Sequence, residues 1–266
     1  MFNTIDSRLL GFFVAVVVLG VAEVGYQLSK RSPDDGKGAA SGAGTQAAIF
    51  TIVGLLLAFC FSLALGRFDA RRAAVVSEAN AIGTVILRTD LLDDDAATRM
   101  RAYLKDYLEA RIAFVASDAD EDARARSDLA TLALQRQMWS LTASVARRNE
   151  RSTELPIFIS SLNSAFDAST LQAGVTTAHI PDAVMTTLIM IVLIAVGVLG
   201  FNTGKSGERN VGPMLLLAVT LGLVIGIILD LDHPQRGLIQ VNLTTLTNDR
   251  QLFNNPAIGG RHGSDR

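Results

Sequence analysis

The sequence has little of what most catalytic and metal sites are built from. Its 266 residues include one cysteine, Cys60, and three histidines that lie far apart in the chain. A single cysteine forms no internal disulfide and no paired-cysteine metal or redox site. The motifs of phosphate-binding loops, serine hydrolases and zinc peptidases do not occur in it either. We therefore expect no enzyme activity, no resident cofactor and no bound metal.

Excess charge of one sign is also missing. The formal net charge is −2 at pH 7, and no nucleic-acid-binding motif is present, so nucleic acid is not an expected partner. Apolar residues, in contrast, make up 49% of the chain, and the mean hydropathy is +0.33. They are concentrated in four blocks instead of being spread evenly.

Each apolar block is long enough to cross a lipid bilayer. Residues 9–28 contain Glu23 and have an alternative interpretation as a secretory signal, but no small-residue cleavage site follows them. Residues 47–66, 183–201 and 211–229 carry no charge and match the hydrocarbon thickness at about 1.5 Å per residue. The sequence therefore predicts four transmembrane helices, with the bilayer as a partner.

The segments between the blocks differ in character. Residues 29–46 are rich in Gly, Ala and Ser, which is typical of a flexible loop. Residues 202–210 are short and polar and predict a hairpin. Residues 67–180 are polar, but their apolar residues recur at helical spacing, which predicts amphipathic helices in a bundle.

Three details of that bundle follow from local signals. Asp95 is a candidate N-cap for its first helix. Leu129 and Leu132 belong to the apolar stripe predicted for its second helix. The third helix is expected to begin at Pro156 and to end at Gly174, because Gly is common just beyond a helix.

The predicted fold is an all-α polytopic membrane protein with four transmembrane helices and a cytoplasmic helical bundle inserted between helices two and three. The domains are a first transmembrane hairpin (1–66), a helical insert that continues helix two (67–180), a second hairpin (181–230) and a tail (231–266). Arginines are most numerous where the second block ends, which favours a cytoplasmic position for that end and for both termini.

The second apolar block runs into charged sequence without a break. No Pro occurs between Gly66 and Gly83, so we predict one helix that is unbroken from about residue 47 to about residue 87. At about 100° per residue, small and polar residues share one face of it. That face either packs against another helix or faces water in a pore shared by several copies; its small and polar members are Thr51, Ala58, Ser62, Asp69, Val76, Asn80 and Thr84.

Two stretches resemble a known family. The first, "GRFDARRAAVVSEANAIGTVILRTDLL", resembles the bestrophin-like family of bacterial membrane proteins and, more distantly, the bestrophins. Bestrophins carry an Arg-Phe-x-Glu-x-Arg pattern beyond their second helix; Arg67, Phe68 and Arg72 match it, whereas Ala70 replaces the glutamate. The second stretch, "ILDLDHPQRGLIQVN", is similar to the motif that closes the bestrophin-like domain.

The resemblance implies a homopentameric ion channel of a bacterial inner membrane, with inorganic ions as its cargo and helix two lining the pore. Large apolar pore candidates on that helix are Leu55, Phe59 and Leu65. The acidic run that binds calcium in animal bestrophins is absent, so calcium regulation is not expected. The residues expected to support the architecture are Arg67, Phe68, Arg71, Arg72, Glu78, Asn80, Asp230, Asp232, Pro234 and Gly237.

Two hypotheses from different classes therefore stand. The first is an oligomeric ion channel, in which Asp69 at the mouth favours cations over anions. The alternative is a non-conducting membrane scaffold or sensor that binds a partner through its helical bundle. A ring of subunits around helix two favours the channel, and a monomer or dimer with helix two buried favours the scaffold.

Overall fold

The computed structural model describes residues 7–31, 38–117, 120–206, 211–232 and 243–254. Within these ranges the chain is helical, with no strand. The all-α class is therefore confirmed. The helices are α1 (Ser7–Arg31), α2 (Gly38–Arg88), α3 (Asp94–Ala116), α4 (Glu121–Arg148), α5 (Leu155–Thr177), α6 (Asp182–Lys205), α7 (Val211–Asp232) and α8 (Thr244–Asn254), and a 3₁₀ turn at Thr89–Leu91 follows α2.

Four stretches of described helix are long and apolar enough to cross a membrane, as predicted. They are Gly11–Arg31, Gly44–Leu91, Leu155–Lys205 and Val211–Asp232. The third includes both α5 and α6, and α6 carries no charged side chain between Asp182 and Lys205. The described residues fall into two compact units: Met1–Phe68 with His179–Gln240 (unit 1), and Asp69–Ala178 with Val241–Arg266 (unit 2).

In unit 1, α1 packs against both α6 and α7. The contact with α6 is so close that a Cβ on Gly200 would overlap the carbonyl of Ala22. The contact with α7 places a Cβ on Gly222 2.8 Å from the carbonyl oxygen of Gly11. Small residues therefore set the spacing of these helices, as is common in membranes. Gly222 and Gly226, one turn apart on α7, both lie against Gly11 of α1.

These pairings also fix the helix directions. Ala22 lies beside Gly200, and Ser29 lies beside Gly204, so α1 and α6 run in the same direction. In contrast, Gly11 lies beside Gly226 near the other end, so α7 runs antiparallel to α1. The ends of α1 and α6 and the start of α7 therefore meet at one end of unit 1.

In unit 2, α3 and α4 form a helical pair, and α8 packs on α3. The buried face of α3 repeats with helical spacing through Met100, Leu104, Tyr107 and Leu108. Met138, Leu141 and Val145 of α4 are buried as predicted. This unit thus has a continuous apolar interior of its own.

Several predicted boundaries and burials are wrong. The loop expected at 29–46 is wrong at both of its ends, because α1 continues to Arg31 and α2 already begins at Gly38; residues 32–37 lie outside the described residues. Asp93, not Asp95, caps α3: its backbone is extended and its carboxylate accepts from the amide of Ala96 at 2.9 Å. Gly174 lies inside α5, which continues to Thr177.

Two further corrections concern unit 2. Leu129 and Leu132 are 68% and 41% exposed, and Thr131 is the buried residue on that part of α4. The segment that the sequence analysis named only as a tail contains a helix, because residues Thr244–Asn254 form α8. Pro234 and Gly237 lie outside the described residues.

Candidate functional site

Helix α2 is 51 residues long and unbroken, as predicted. At about 1.5 Å per residue it extends about 76 Å, more than twice the thickness of a hydrocarbon core. One face of it is buried in its own chain along most of this length. In unit 1 that face carries Val53, Cys60 and Ala64, and in unit 2 it carries Arg71 and Glu78.

The predicted small and polar stripe lies on the opposite side of α2. At about 100° per residue, Thr51, Asp69 and Leu87 are about half a turn from the centre of the buried face. Every residue predicted to line the stripe is exposed in the single chain, and so are the large apolar candidates: Thr51, Leu55, Ala58, Phe59, Ser62, Leu65, Asp69, Val76, Asn80 and Thr84. The described part of the chain does not cover this stripe with its own helices.

The predicted architectural residues around the end of the second span have different environments. Phe68 packs against the core of unit 1, and Arg67 is half-buried, whereas Arg72 and Asn80 are exposed. Arg71 is buried and donates to the carbonyls of Val175 and Ala178 at 3.2 and 2.7 Å. Because those are the last carbonyls of α5, Arg71 joins α2 to the end of that helix.

Glu78 is fully buried and forms an ion pair with Arg111 of α3. Glu78, which the sequence analysis expected to support the architecture, thus joins α2 to α3 through Arg111. The guanidinium also donates to Gln172 at 2.6 Å and to the carbonyl of Ser169 at 3.4 Å. One buried arginine therefore connects α2, α3 and α5.

Sequence analysis did not identify Arg111, although a signal was present. Arg111 lies three residues after Leu108 and four after Tyr107, so it continues the buried face of α3. A charged side chain at such a position requires a buried partner of opposite charge. The acidic residue on the inner face of α2, Glu78, is the residue that meets this requirement.

Next to this pair lies a chain of neutral hydrogen bonds. The amide of Gln135 donates to the hydroxyl of Ser169 at 3.0 Å and to that of Tyr107 at 3.4 Å. Burial raises the pKa of Tyr107 above its ordinary value, so the phenol stays protonated. The polar groups around Arg111, Tyr107 and Gln135 therefore satisfy one another's hydrogen bonds, which suits a structural role better than proton transfer.

The second predicted cluster lies where α7 ends, next to the segment that precedes α6. Asp232 is buried, and its carboxylate accepts from the backbone amide of Ile180 at 3.0 Å. His179 lies 3.6 Å from the same carboxylate. Asp230, two residues earlier, is also buried. This aspartate pair therefore belongs to the interior of unit 1, and Asp232 anchors the segment that precedes α6.

Helix α8 is held to the rest of unit 2 by two contacts of different kinds. Arg250 makes a bidentate pair with Glu109 at 2.6 and 2.7 Å, and both side chains are about half exposed. Asp249 faces inward, with one oxygen 3.4 Å from the position that a Cβ on Gly83 would occupy. Its other oxygen is buried without a hydrogen-bond partner among the described residues. Burial raises the pKa of Asp249 to about 6.

Within the described residues, no group of three or more His, Cys, Asp or Glu side chains is arranged to hold a metal ion. Glu23, the acid within the first span, is half-buried and accepts from Gln27 one turn further along α1 at 3.1 Å. The chemistry of the described part of the molecule is thus concentrated on α2, with one exposed polar face and one buried charged face.

A match to a family model shows which protein family the chain belongs to. Residues 11–246 match the model of the bestrophin-like domain, which is nearly the whole sequence. The chain belongs to the bestrophin-like family. With four apolar spans, this member of the family is a multi-pass membrane protein.

Solved structures show the same fold for the bestrophin-like chain. It is similar to a bacterial bestrophin homologue from Klebsiella pneumoniae solved by zinc phasing, with a TM-score of 0.65 and 15% identity over 97% of this chain and 98% of the other. A leucine-to-threonine form of that homologue gives 0.68 and 15% over 96% and 99%. A tyrosine-to-alanine form gives 0.66 and 16% over 96% and 98%. No curated protein matches the sequence.

Proposed function

We propose that this protein is a homo-oligomeric ion channel whose pore is lined by the exposed stripe of α2. The observation that supports the proposal is that the stripe stays on one side of α2 along the helix. Small and polar residues stay on one side of α2 from Thr51 to Thr84, about 50 Å along the axis, and the described part of the same chain leaves them exposed. An uncovered face with small and hydroxyl-bearing residues suits contact with water in a pore or with another copy of the chain.

The wall of such a pore requires several copies. Four spans from one chain enclose too little space for a water-filled channel, and a closed ring of identical subunits supplies the rest by rotational symmetry. The family resemblance suggests five copies. The arginine-rich end of the second span supports a bacterial inner membrane with unit 2 and both termini in the cytoplasm.

The side chains of the stripe suit conduction in three ways. Thr51 donates its hydroxyl proton to the carbonyl of Ala47 at 2.9 Å, so its oxygen remains available to replace part of a cation's hydration. Leu55, Phe59 and Leu65 supply the bulk for an apolar constriction that gates by dewetting. Asp69 repeats around the axis as a ring of carboxylates, which concentrates cations. We propose transport and no catalytic role.

The test is a reversal potential in planar bilayers under a salt gradient. Wild-type protein is expected to conduct with a preference for cations, and Asp69→Asn is expected to reduce that preference. Asp106→Asn is the matched control, because Asp106 is an exposed carboxylate on α3 away from the stripe. Equal reversal potentials for all three proteins would remove Asp69 from the pore. No current from assembled wild-type protein would contradict the channel itself.

One observation favours a second function, that of a membrane scaffold. Leu129, Leu132 and Trp139 are all exposed along one side of α4 in unit 2, outside the α2 stripe. An exposed apolar strip of this kind is typical of a protein-binding surface. A scaffold predicts no conductance together with binding of a partner that is lost in a Leu129→Ser, Trp139→Ser variant.

A further inference from the structure

A crevice opens in unit 1 at the end of the spans where α6 finishes and α7 begins. It has a volume of about 470 Å³ and is lined by α2, α6 and α7. That volume lies within the range of roughly 300–1,000 Å³ that is usual for small-molecule sites. It is separate from the exposed stripe of α2, because Gln46 and Phe50 line it whereas the stripe begins at Thr51 on another face.

The lining changes from polar to apolar along the helices. Gln46, Thr203 and Ser206 supply polar groups near the helix ends. Phe50 lies four residues further into its span than Gln46, and Leu199 lies four residues further in than Thr203. At about 1.5 Å per residue the apolar floor is about 6 Å deeper than the polar rim. This order of polarity is the same as that of a bilayer leaflet.

The rim is held by a direct contact between helices. The amide of Asn202 donates to the side-chain oxygen of Gln46 at 2.9 Å, which ties α2 to α6 above the apolar floor. A hydrogen bond between side chains of two helices contributes modestly to holding the two spans together. On one side, the crevice is therefore bordered by a hydrogen bond that joins α2 and α6.

Positive charge surrounds this end of the unit. Lys205 ends α6, one residue before Ser206, and its ammonium lies 5.6 Å from the ring centre of Phe201. Lys30 and Arg31 end α1, which runs parallel to α6. A negatively charged group at the rim would therefore be attracted from two helices at once.

We propose that the crevice binds an anionic phospholipid of the surrounding bilayer. One acyl chain lies against Phe50, Leu199 and Leu217, and the phosphate lies at the rim within reach of Lys205. Thr203 and Ser206 donate their hydroxyl protons to the carbonyls of Leu199 and Thr203, so their oxygens accept from hydroxyl groups of the headgroup. The polar rim explains why a lipid fits better than a purely apolar occupant, and the cations explain why an anionic headgroup is preferred. The proposal depends on the membrane-spanning fold and not on ion conduction.

The experiment compares two tryptophan variants by native mass spectrometry in detergent. Leu217→Trp fills the crevice, whereas Leu216→Trp adds the same side chain at a neighbouring site that is 69% exposed and does not line it. With added dioleoyl phosphatidylglycerol, wild type and Leu216→Trp are expected to retain a lipid on each chain. Leu217→Trp is expected to bind it at least about tenfold more weakly, a change of about 1.4 kcal/mol.

Two further variants keep the test decisive. Met214→Phe adds less volume to the same crevice. It replaces Leu217→Trp in the comparison if that variant does not fold. Lys205→Gln is expected to bind phosphatidylglycerol and phosphatidylcholine equally well, because the acyl chain of either lipid still fits the crevice. Unchanged lipid retention in both filling variants would overturn the site, and an unchanged preference in Lys205→Gln would overturn the headgroup assignment.

A second copy of the chain is the competing occupant. If it filled the crevice, Leu217→Trp would change the number of subunits while lipid retention stayed equal to that of Leu216→Trp. That result would also overturn the proposal. Because the readout is bound lipid, a channel that failed to conduct would leave this test unaffected.

Discussion

Two carboxylates of unit 2 show how a buried partner of opposite charge separates structural from responsive side chains. Glu78 is buried against a guanidinium, so its charge is compensated in the folded protein. Asp249 is half-buried with one unpartnered oxygen, so its charge opposes burial. The first residue is expected to fix the fold, and the second is expected to make one contact depend on pH.

Substitution of Glu78 tests the buried pair. Glu78→Ala leaves Arg111 buried with only Gln172 and a carbonyl as partners, and loss of one member of such a pair costs about 3–5 kcal/mol. Thermal unfolding in detergent is expected to shift clearly downward. Glu109→Ala is the control, because it breaks the half-exposed pair with Arg250 and is expected to change little. Equal shifts for both variants would contradict a special role of the buried pair.

The pH dependence of α8 follows from Asp249. Burial raises its pKa from 3.8 to about 6, so the folded state binds this proton more tightly than the unfolded state does. Between these values the free energy of unfolding falls as pH rises, and the loss is complete above about pH 6. Hydrogen exchange of the α8 amides, corrected for the intrinsic pH effect, is expected to show faster opening at pH 7.5 than at pH 5.

Asp249→Asn supplies the control for that measurement. The amide has nearly the same shape but does not titrate, so protection of α8 is expected to become independent of pH. A pH effect that persists in the asparagine variant would assign it to another group.

At the scale of whole elements, the spacing of α1 and α6 is set by glycine. A Cβ on Gly200 would meet the backbone of Ala22, which cannot move away as a side chain can. A Cβ on Gly197, three residues earlier, would make an ordinary 3.6 Å contact with Val21. The two positions look alike in the sequence, and only the partner helix distinguishes them.

The pair Gly200→Ala and Gly197→Ala tests this distinction. Gly200→Ala is expected to force the helices apart at a cost of about 1–3 kcal/mol, seen as a lower unfolding temperature and reduced yield of assembled protein. Gly197→Ala is expected to be neutral or to gain up to about 1 kcal/mol of helix propensity. Similar tolerance at both positions would mean that the α1–α6 contact is looser than described.

Helix α2 shows why elements were easier to predict than their edges. Its continuity followed from the absence of Pro and from a stripe that kept its phase, and both are local properties of the sequence. Its start did not follow: residues 38–46 are rich in Gly and Ser, yet they are helical because α2 continues into a helix already nucleated by the apolar span. Gly174 misled for a different reason: the buried residues on either side of it, Gln172 and Thr176, keep α5 helical through a local stop signal.

For the molecule as a whole, the class, the four spans and the family were accessible from sequence. Hydropathy and two motifs carry that information without any knowledge of contacts. The partners of the buried charges were not accessible, because Arg111 lies 33 positions from Glu78 and nothing local joins them. The exposure of Leu129 and Leu132 was missed because helical periodicity shows that a face is apolar but not what covers it.

The lone cysteine has a practical consequence. Cys60 is 3% exposed, on the buried face of α2, and is the one thiol in 266 residues. The thiol of the native chain is therefore expected to react little with labelling reagents. A cysteine introduced at a stripe position such as Ser62 would carry a spin label or a crosslinker as the dominant reactive group. Distances between identical labels around a ring would then report the number of subunits and the diameter that they enclose.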